Sequence, residues 1–257
     1  MVRTHVSRAL VAVALLWAAS GPSSLPAIAQ VAGAAGSGLT VQTSVVVVEL
    51  YTSQGCSSCP PADAYLGDLA KRDDLIALAL HVDYWNYIGW TDPFSIENAG
   101  RRQYAYQQSL GTRFVYTPQM VIDGRFAATG LDRREVETLI ARARQRNKLL
   151  VSVVPEGVGS LRIGLPDTPF GEQVEDMATV WLFVYDDEHA TAVDAGENAG
   201  RHLVNARVVR WAGRIGDWRG EARDLIAGVP VPGDGVVVLV QSRAMGQIMG
   251  VGAMRLR

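Results

Sequence analysis

A run of apolar, mostly β-branched residues ends in two cysteines one helical turn apart: Val45-Val46-Val47-Val48-Glu49-Leu50-Tyr51, then Thr52 to Gly55, then Cys56-Ser57-Ser58-Cys59-Pro60-Pro61. Such a run reads as a strand buried on both faces. The next residues are turn material. Pro60 and Pro61 suit the first turn of a helix, where a missing N–H leaves nothing unsatisfied. The order buried strand, short loop, two cysteines, helix places Cys56 at a helix N-terminus, where the dipole and free N–H groups favour a thiolate. A thiolate attacks disulfides, and a second thiol one turn later closes the ring and releases the product.

The chain has only these two cysteines among its 257 residues. The pair therefore bonds to itself, to a partner or to a metal. A C-x-x-C loop is too short to cross-link distant parts of a fold, which weakens a purely structural role. A soft ion such as Cu(I) is the metal alternative, although no His or Met stands at ligand spacing beside the pair.

Arg3, His5 and Arg8 precede a short apolar core, Ala9 to Ala19, and Ala27-Ile28-Ala29 fits a small-x-small cleavage pattern. Residues 1–29 read as an export signal cleaved near Ala29, giving a periplasmic or secreted product in a compartment where disulfides persist. The apolar core is short for a membrane span, and no stable span is expected in the mature chain. The whole chain carries 24 basic and 26 acidic residues. Losing Arg3 and Arg8 with the signal leaves 22 against 26, a balance that does not suggest nucleic acid as a partner. Residues 30–43 are small, polar and Gly/Ala-rich and read as a flexible leader.

Along the chain, Ala62, Tyr65, Leu66, Leu69 and Ala70 recur at helical spacing. Leu75 to Val82 is a second strand-like run. If parallel to the first, it brings His81 and Asp83 to the sheet edge that carries the cysteines, as candidate proton relays; capping and packing roles serve equally well. Tyr84, Trp85, Tyr87 and Trp90 form an aromatic patch, read either as core or as a surface for unfolded polypeptide. Asp92-Pro93 reads as the start of a helix to Leu110, with Arg101, Arg102 and Arg113 on a solvated face. Asp123-Gly124 between apolar runs signals a hairpin, with Pro118 at the start of its first strand. Asp132 and Glu135 then make a capping-box-like start to another helix.

Two features, Cys56 to Cys59 after a buried strand and Thr117-Pro118 before a hairpin, resemble the thioredoxin superfamily. More specifically, Glu-Leu-Tyr-Thr-Ser-Gln-Gly-Cys-Ser-Ser-Cys-Pro-Pro-Ala-Asp, His81-Val82-Asp83-Tyr84-Trp85, Gly89-Trp90-Thr91-Asp92-Pro93 and Tyr116-Thr117-Pro118-Gln119-Met120 resemble the DUF1223 family, secreted bacterial thioredoxin-like proteins of unassigned function. The resemblance implies a proline facing the cysteines, at Pro118, with Thr117 and Pro118 forming a substrate-facing wall. The chain departs from thioredoxin in having Ser-Ser between the cysteines and Gln54-Gly55 before them. The buried acid beneath thioredoxin's cysteines has no certain counterpart on the first strand or helix.

From Lys148 the pattern changes to short apolar runs punctuated by Gly, Pro and Asp, an all-β signature. The loop Asp194 to Arg201, with Asn205 and Arg207, resembles a second recurrent block of the same family. It reads as a structural loop, a partner site, or a contact with the first half.

The expected fold is thus an α/β thioredoxin-like domain with a helical insert over residues 44–147, followed by a β-rich, sandwich-like domain over 148–257. The expected function is thiol–disulfide exchange on protein or small-molecule thiols, with Cys56 as nucleophile and Cys59 as resolving thiol. It needs no cofactor or metal, and its partner is a thiol or disulfide substrate or a redox protein. The alternatives are soft-metal delivery and a non-catalytic binding module.

Overall fold

The computed structural model describes residues 42–168 and 177–256, apart from the side chains of Gln42 and Ala244. The stretch read as an export signal and most of that read as a leader lie outside the described residues. The protein is mixed α/β: a large sheet, a small sheet and, among the described residues, three α-helices.

The first half contains β1 (Gln42–Thr43), β2 (Val46–Thr52), α1 (Pro60–Leu69), β3 (Leu75–His81), α2 (Glu97–Leu110), β4 (Gln119–Ile122), β5 (Phe126–Thr129) and α3 (Arg133–Ala143). The second contains β6 (Lys148–Leu150), β7 (Ser152–Pro155), β8 (Ser160–Leu165), β9 (Ala178–Ala192), β10 (His202–Trp218), β11 (Arg223–Gly228), β12 (Gly235–Gln241) and β13 (Ile248–Arg255). Ten strands form one sheet in the order β1-β6-β13-β12-β9-β10-β3-β2-β4-β5, and β11-β8-β7 form the other. The halves join within the large sheet, where β10 runs parallel to β3 with Val208 opposite Ala79. β1 falls inside the stretch read as leader and pairs with β6.

β2 is buried along its whole length, as a strand apolar on both faces requires. Period-2 alternation sends Val46, Val48 and Leu50 to the face covered by α1 and α3. Val47 and Tyr51 go to the other face, with Tyr106 of α2, Leu78, Phe183 and Leu239. β2 pairs parallel with β3 and antiparallel with β4, which brings the ends of β2 and β3 to one edge. In the second half, Leu161, Ile163 and Leu165 of the small sheet pack over Val180, Leu182 and Val238 of the large one.

Local signals set several element ends. Cys59 is the N-cap of α1, with proline at its first positions. Asp132 accepts a 2.9 Å bond from the Glu135 N–H at the start of α3. Gly111 ends α2 in the left-handed conformation that glycine adopts freely.

Two readings of the helical insert need correction. α2 begins at Glu97, five residues after Asp92: Asp92 caps only a short turn, with Oδ1 taking the Phe94 N–H, while Oδ2 takes the Gln54 N–H. Arg102 is not on a solvated face but 3% exposed. It donates to both oxygens of Glu49, which is 1% exposed, and its guanidinium lies 4.9 Å from the Trp181 ring centroid and 5.0 Å from that of Phe183.

Candidate functional site

Cys56 and Cys59 form a disulfide in the turn between β2 and α1. The Cys59 N–H bonds to the Cys56 carbonyl at 3.2 Å, and the Ala62 and Asp63 N–H groups bond to the Cys59 carbonyl, so the cysteine turn leads directly into α1. Both cysteines are buried, at 1% and 0% exposure, while Ser57 and Ser58 beside them are exposed. Ser58 Oγ lies 3.4 Å from Cys56 Sγ.

The Thr117–Pro118 peptide bond is cis. Pro118 lies close to the start of α1, because Gly130 touches both. A Cβ placed on Gly130 would fall 2.8 Å from Ala62 Cβ and 3.3 Å from Pro118 Cβ. The Gly130 N–H donates to the Pro118 carbonyl, and Gln103 Nε2 donates to that of Tyr116. Thr117 Oγ1 accepts from Trp85 Nε1 at 2.8 Å. Trp85 also lies against the cysteine turn, since a Cβ on Gly55 would stand 3.2 Å from Trp85 Cβ. The aromatic stretch therefore has both characters: Trp85, Tyr84 and Trp90 are half-buried, whereas Tyr87 is 82% exposed.

His81 and Asp83 separate. Asp83 is exposed, with a carboxylate oxygen 3.5 Å from where a Gly100 Cβ would sit on α2. His81 is fully buried and donates from Nδ1 to Asp92 Oδ2 at 2.7 Å. Burial pushes the Asp92 carboxyl up, but the His81 hydrogen bond and charge, with the Gln54 and Phe94 N–H groups, outweigh it and hold the pKa below the ordinary value.

Near His81 lies a residue that the sequence did not single out. Asp63, on α1, is buried; desolvation raises its carboxyl to about 6, partly offset by the nearby charge of His81. Thr52 and Asn205 turn their polar ends toward it without reaching hydrogen-bond geometry. Asp63 Oδ1, His81 Nε2, Thr52 Oγ1 and Asn205 Nδ2 are all buried without a hydrogen-bond partner among the described residues. They come from α1, β3, β2 and β10, so the pocket of polar atoms exists only because β10 docks beside β3. The signal for Asp63 was present: it is an acid on the apolar face defined by Ala62 and Leu66.

The β9–β10 hairpin also reaches the cysteine turn. Asn198 Nδ2 donates to the Gln54 carbonyl at 2.8 Å and to the Cys56 carbonyl at 2.9 Å. Glu197 Oε2 accepts the Ser57 N–H at 3.0 Å. Gln54 Nε2 donates to Asn205 Oδ1, and Trp90 Nε1 donates to Gln54 Oε1. Of the three readings of the loop Asp194 to Arg201, contact with the first half is the one observed.

These features define a mixed α/β protein with a buried disulfide at the head of a helix. The chain belongs to the family described as "Protein of unknown function (DUF1223)", which it matches over residues 47–241. It is similar to the crystal structure of protein AGR_C_4864 from Agrobacterium tumefaciens, with 30% identity and a TM-score of 0.67 over 84% of this chain and 95% of that one. It is similar in fold to HBP35 of Porphyromonas gingivalis, with 11% identity and a TM-score of 0.57 over 86% of this chain and 77% of that one. No curated protein matches it. Among the described residues, no helix is long and apolar enough to cross a membrane.

Proposed function

We propose that the protein is an exported thiol–disulfide oxidoreductase whose first half is a thioredoxin-like unit. The observation that carries this reading is the Cys56–Cys59 disulfide at the N-terminus of α1, with Pro118 packed near the start of the same helix. The element order β2, α1, β3, α2, β4, β5, α3 and the strand order β3-β2-β4-β5 support it.

In the reduced protein, the Cys56 thiolate attacks one sulfur of a substrate disulfide. A mixed disulfide forms and one substrate thiolate leaves. The Cys59 thiolate then attacks Cys56 Sγ, the second substrate thiolate leaves, and the intramolecular disulfide re-forms. Two electrons pass from the protein to the substrate; the reverse sequence oxidises a substrate dithiol. The carbonyls of Tyr116 and Pro118 are already engaged, which leaves the Thr117 backbone to pair with a bound segment. Asp63, raised to about 6, exchanges protons in the neutral range and serves as the proton acceptor of the buried site, with His81 behind it.

The burial of Cys56 favours a second reading, a non-catalytic binding module with an inert disulfide. Turnover of a model disulfide substrate separates the two. Oxidoreductase activity is expected in the wild type and absent in Cys56→Ser; equal rates for both would overturn the proposal.

A further inference from the structure

The tip of the β9–β10 hairpin grips the segment that carries Cys56. The tip is closed on itself: the Val193 N–H bonds to the Arg201 carbonyl and the Gly200 N–H to the Val193 carbonyl. Gly196 and Gly200 adopt left-handed backbone, and a Cβ on Gly196 would stand 3.1 Å from Trp90 Cβ. Asn198 is fully buried and fully used. Its two donated bonds fix the Gln54 and Cys56 carbonyls, and its Oδ1 accepts from Arg201 at 2.9 Å. A satisfied buried amide of this kind holds a unique arrangement.

Glu197 adds charge. Its carboxylate takes the backbone N–H of the residue next to Cys56. By covalent geometry it then lies within about 8 Å of Cys56 Sγ. That N–H, two residues ahead of the N-cap Cys59, is thereby engaged by the carboxylate and not open to a Cys56 thiolate. Hydrogen bonds from Ser57 hold the Glu197 carboxyl below its ordinary pKa, so it is ionised at neutral pH. The other titratable groups linked to the turn are Asp63 on α1, Asp92 with its partner His81, and Arg201 on the hairpin tip.

We propose that Glu197 and Asn198 are positioning residues for the thiol site, a latch in which Asn198 holds the Cys56 segment closed and Glu197 disfavours the Cys56 thiolate. This rests on Cys56 being the attacking thiol. On this account the second half of the chain sets the reactivity of the first.

The test is the pH dependence of iodoacetamide alkylation of Cys56 in a Cys59→Ser background, which leaves one thiol and requires no exchange substrate. Glu197→Gln keeps an acceptor for Ser57 but removes the charge. At low ionic strength it is expected to raise the thiolate fraction about two- to tenfold at fixed pH below the midpoint, as removal of one charge about 8 Å away predicts. In 1 M salt, where the screening length falls to about 3 Å, the difference is expected to vanish. Coincident curves at low salt, or a difference that persists unchanged in high salt, would overturn the charge role. Asn198→Ala is expected to raise the plateau rate at high pH about fivefold or more, through loss of the hydrogen bonds that close the segment, without moving the midpoint. An unchanged plateau would overturn the latch. If Asn198→Ala does not fold, Asn198→Asp, which keeps an oxygen for Arg201 and loses both donated bonds, is expected to raise the plateau in its place, and an unchanged plateau there overturns the latch. Alkylation reports the latch even if the protein exchanges no disulfide, so failure of the latch and failure of the proposed function are distinguishable.

Discussion

His81 and Asp92 form a hydrogen-bonded pair at 2.7 Å with neither side chain exposed, and the same Asp92 oxygen takes the Gln54 N–H on the loop that leads to Cys56. The pair fixes the end of β3 to the approach to the disulfide. It also fixes the His81 ring, with Nε2 left on the side of Asp63 and Asn205.

Asp63→Asn is expected to change stability in a pH-dependent way. Burial raises the Asp63 carboxyl from 3.8 to about 6. The folded state therefore binds this proton more tightly than the unfolded state. Wild-type stability is fully present below about pH 4 and falls as pH rises toward 6 and beyond, by on the order of 1–3 kcal/mol. Asn carries no charge at any pH. The variant's advantage should grow from pH 4 to 7 in urea unfolding; a difference independent of pH would contradict the assignment. In the exchange assay the same variant should lose activity most clearly near and above pH 6, where wild-type Asp63 is ionised.

Arg102→Ala is expected to destabilise the fold by about 3–5 kcal/mol, because it strands Glu49 as a buried charge. The double variant Arg102→Met with Glu49→Leu should recover much of that loss, since no charge is left buried. Denaturant midpoints check both; a double variant as unstable as the single would show that the loss lies in packing against Trp181 and Phe183.

Gly130→Ala tests the contact between α1 and Pro118. The added Cβ falls 2.8 Å from Ala62 Cβ, so backbone has to move. A loss of about 1–3 kcal/mol is expected from overpacking, together with slower exchange. Unchanged stability and rate would mean that α1 and the Pro118 segment shift apart freely.

Cys59→Ser is expected to arrest exchange at a mixed disulfide on Cys56, visible by mass spectrometry after incubation with a disulfide substrate. Cys56→Ser should give no adduct. An adduct on Cys59 in that variant would reverse the roles of the two thiols.

What was legible in the sequence was local. The run before Cys56 has the apolar density of a doubly covered strand, Pro60 and Pro61 mark a helix start, and Asp132 with Glu135 caps α3. Asp92-Pro93 carried an equally good local signal but starts only a short turn: one Asp92 oxygen takes the Phe94 N–H, and the other is held by His81 and Gln54, distant in sequence. Arg102 looked like one of several surface cations, and nothing near it in sequence shows that Glu49 waits across the sheet. The polar cluster of Asp63, His81, Thr52 and Asn205, and the grip of Glu197 and Asn198 on the cysteine turn, depend on β10 docking beside β3. That pairing joins residues more than a hundred positions apart, and no periodicity or spacing encodes it. His81 was legible as a strand-end residue on the cysteine edge; Asp83, two residues on, points to solvent instead.

The most direct test of the redox account is the reduction potential of the Cys56–Cys59 pair, measured by equilibration in glutathione or dithiothreitol buffers with thiol trapping. The account predicts a reversible couple between about −270 and −120 mV, the range of working oxidoreductases. A potential below about −300 mV, or a pair that does not re-form its bond after reduction, would contradict it and leave the disulfide a structural one.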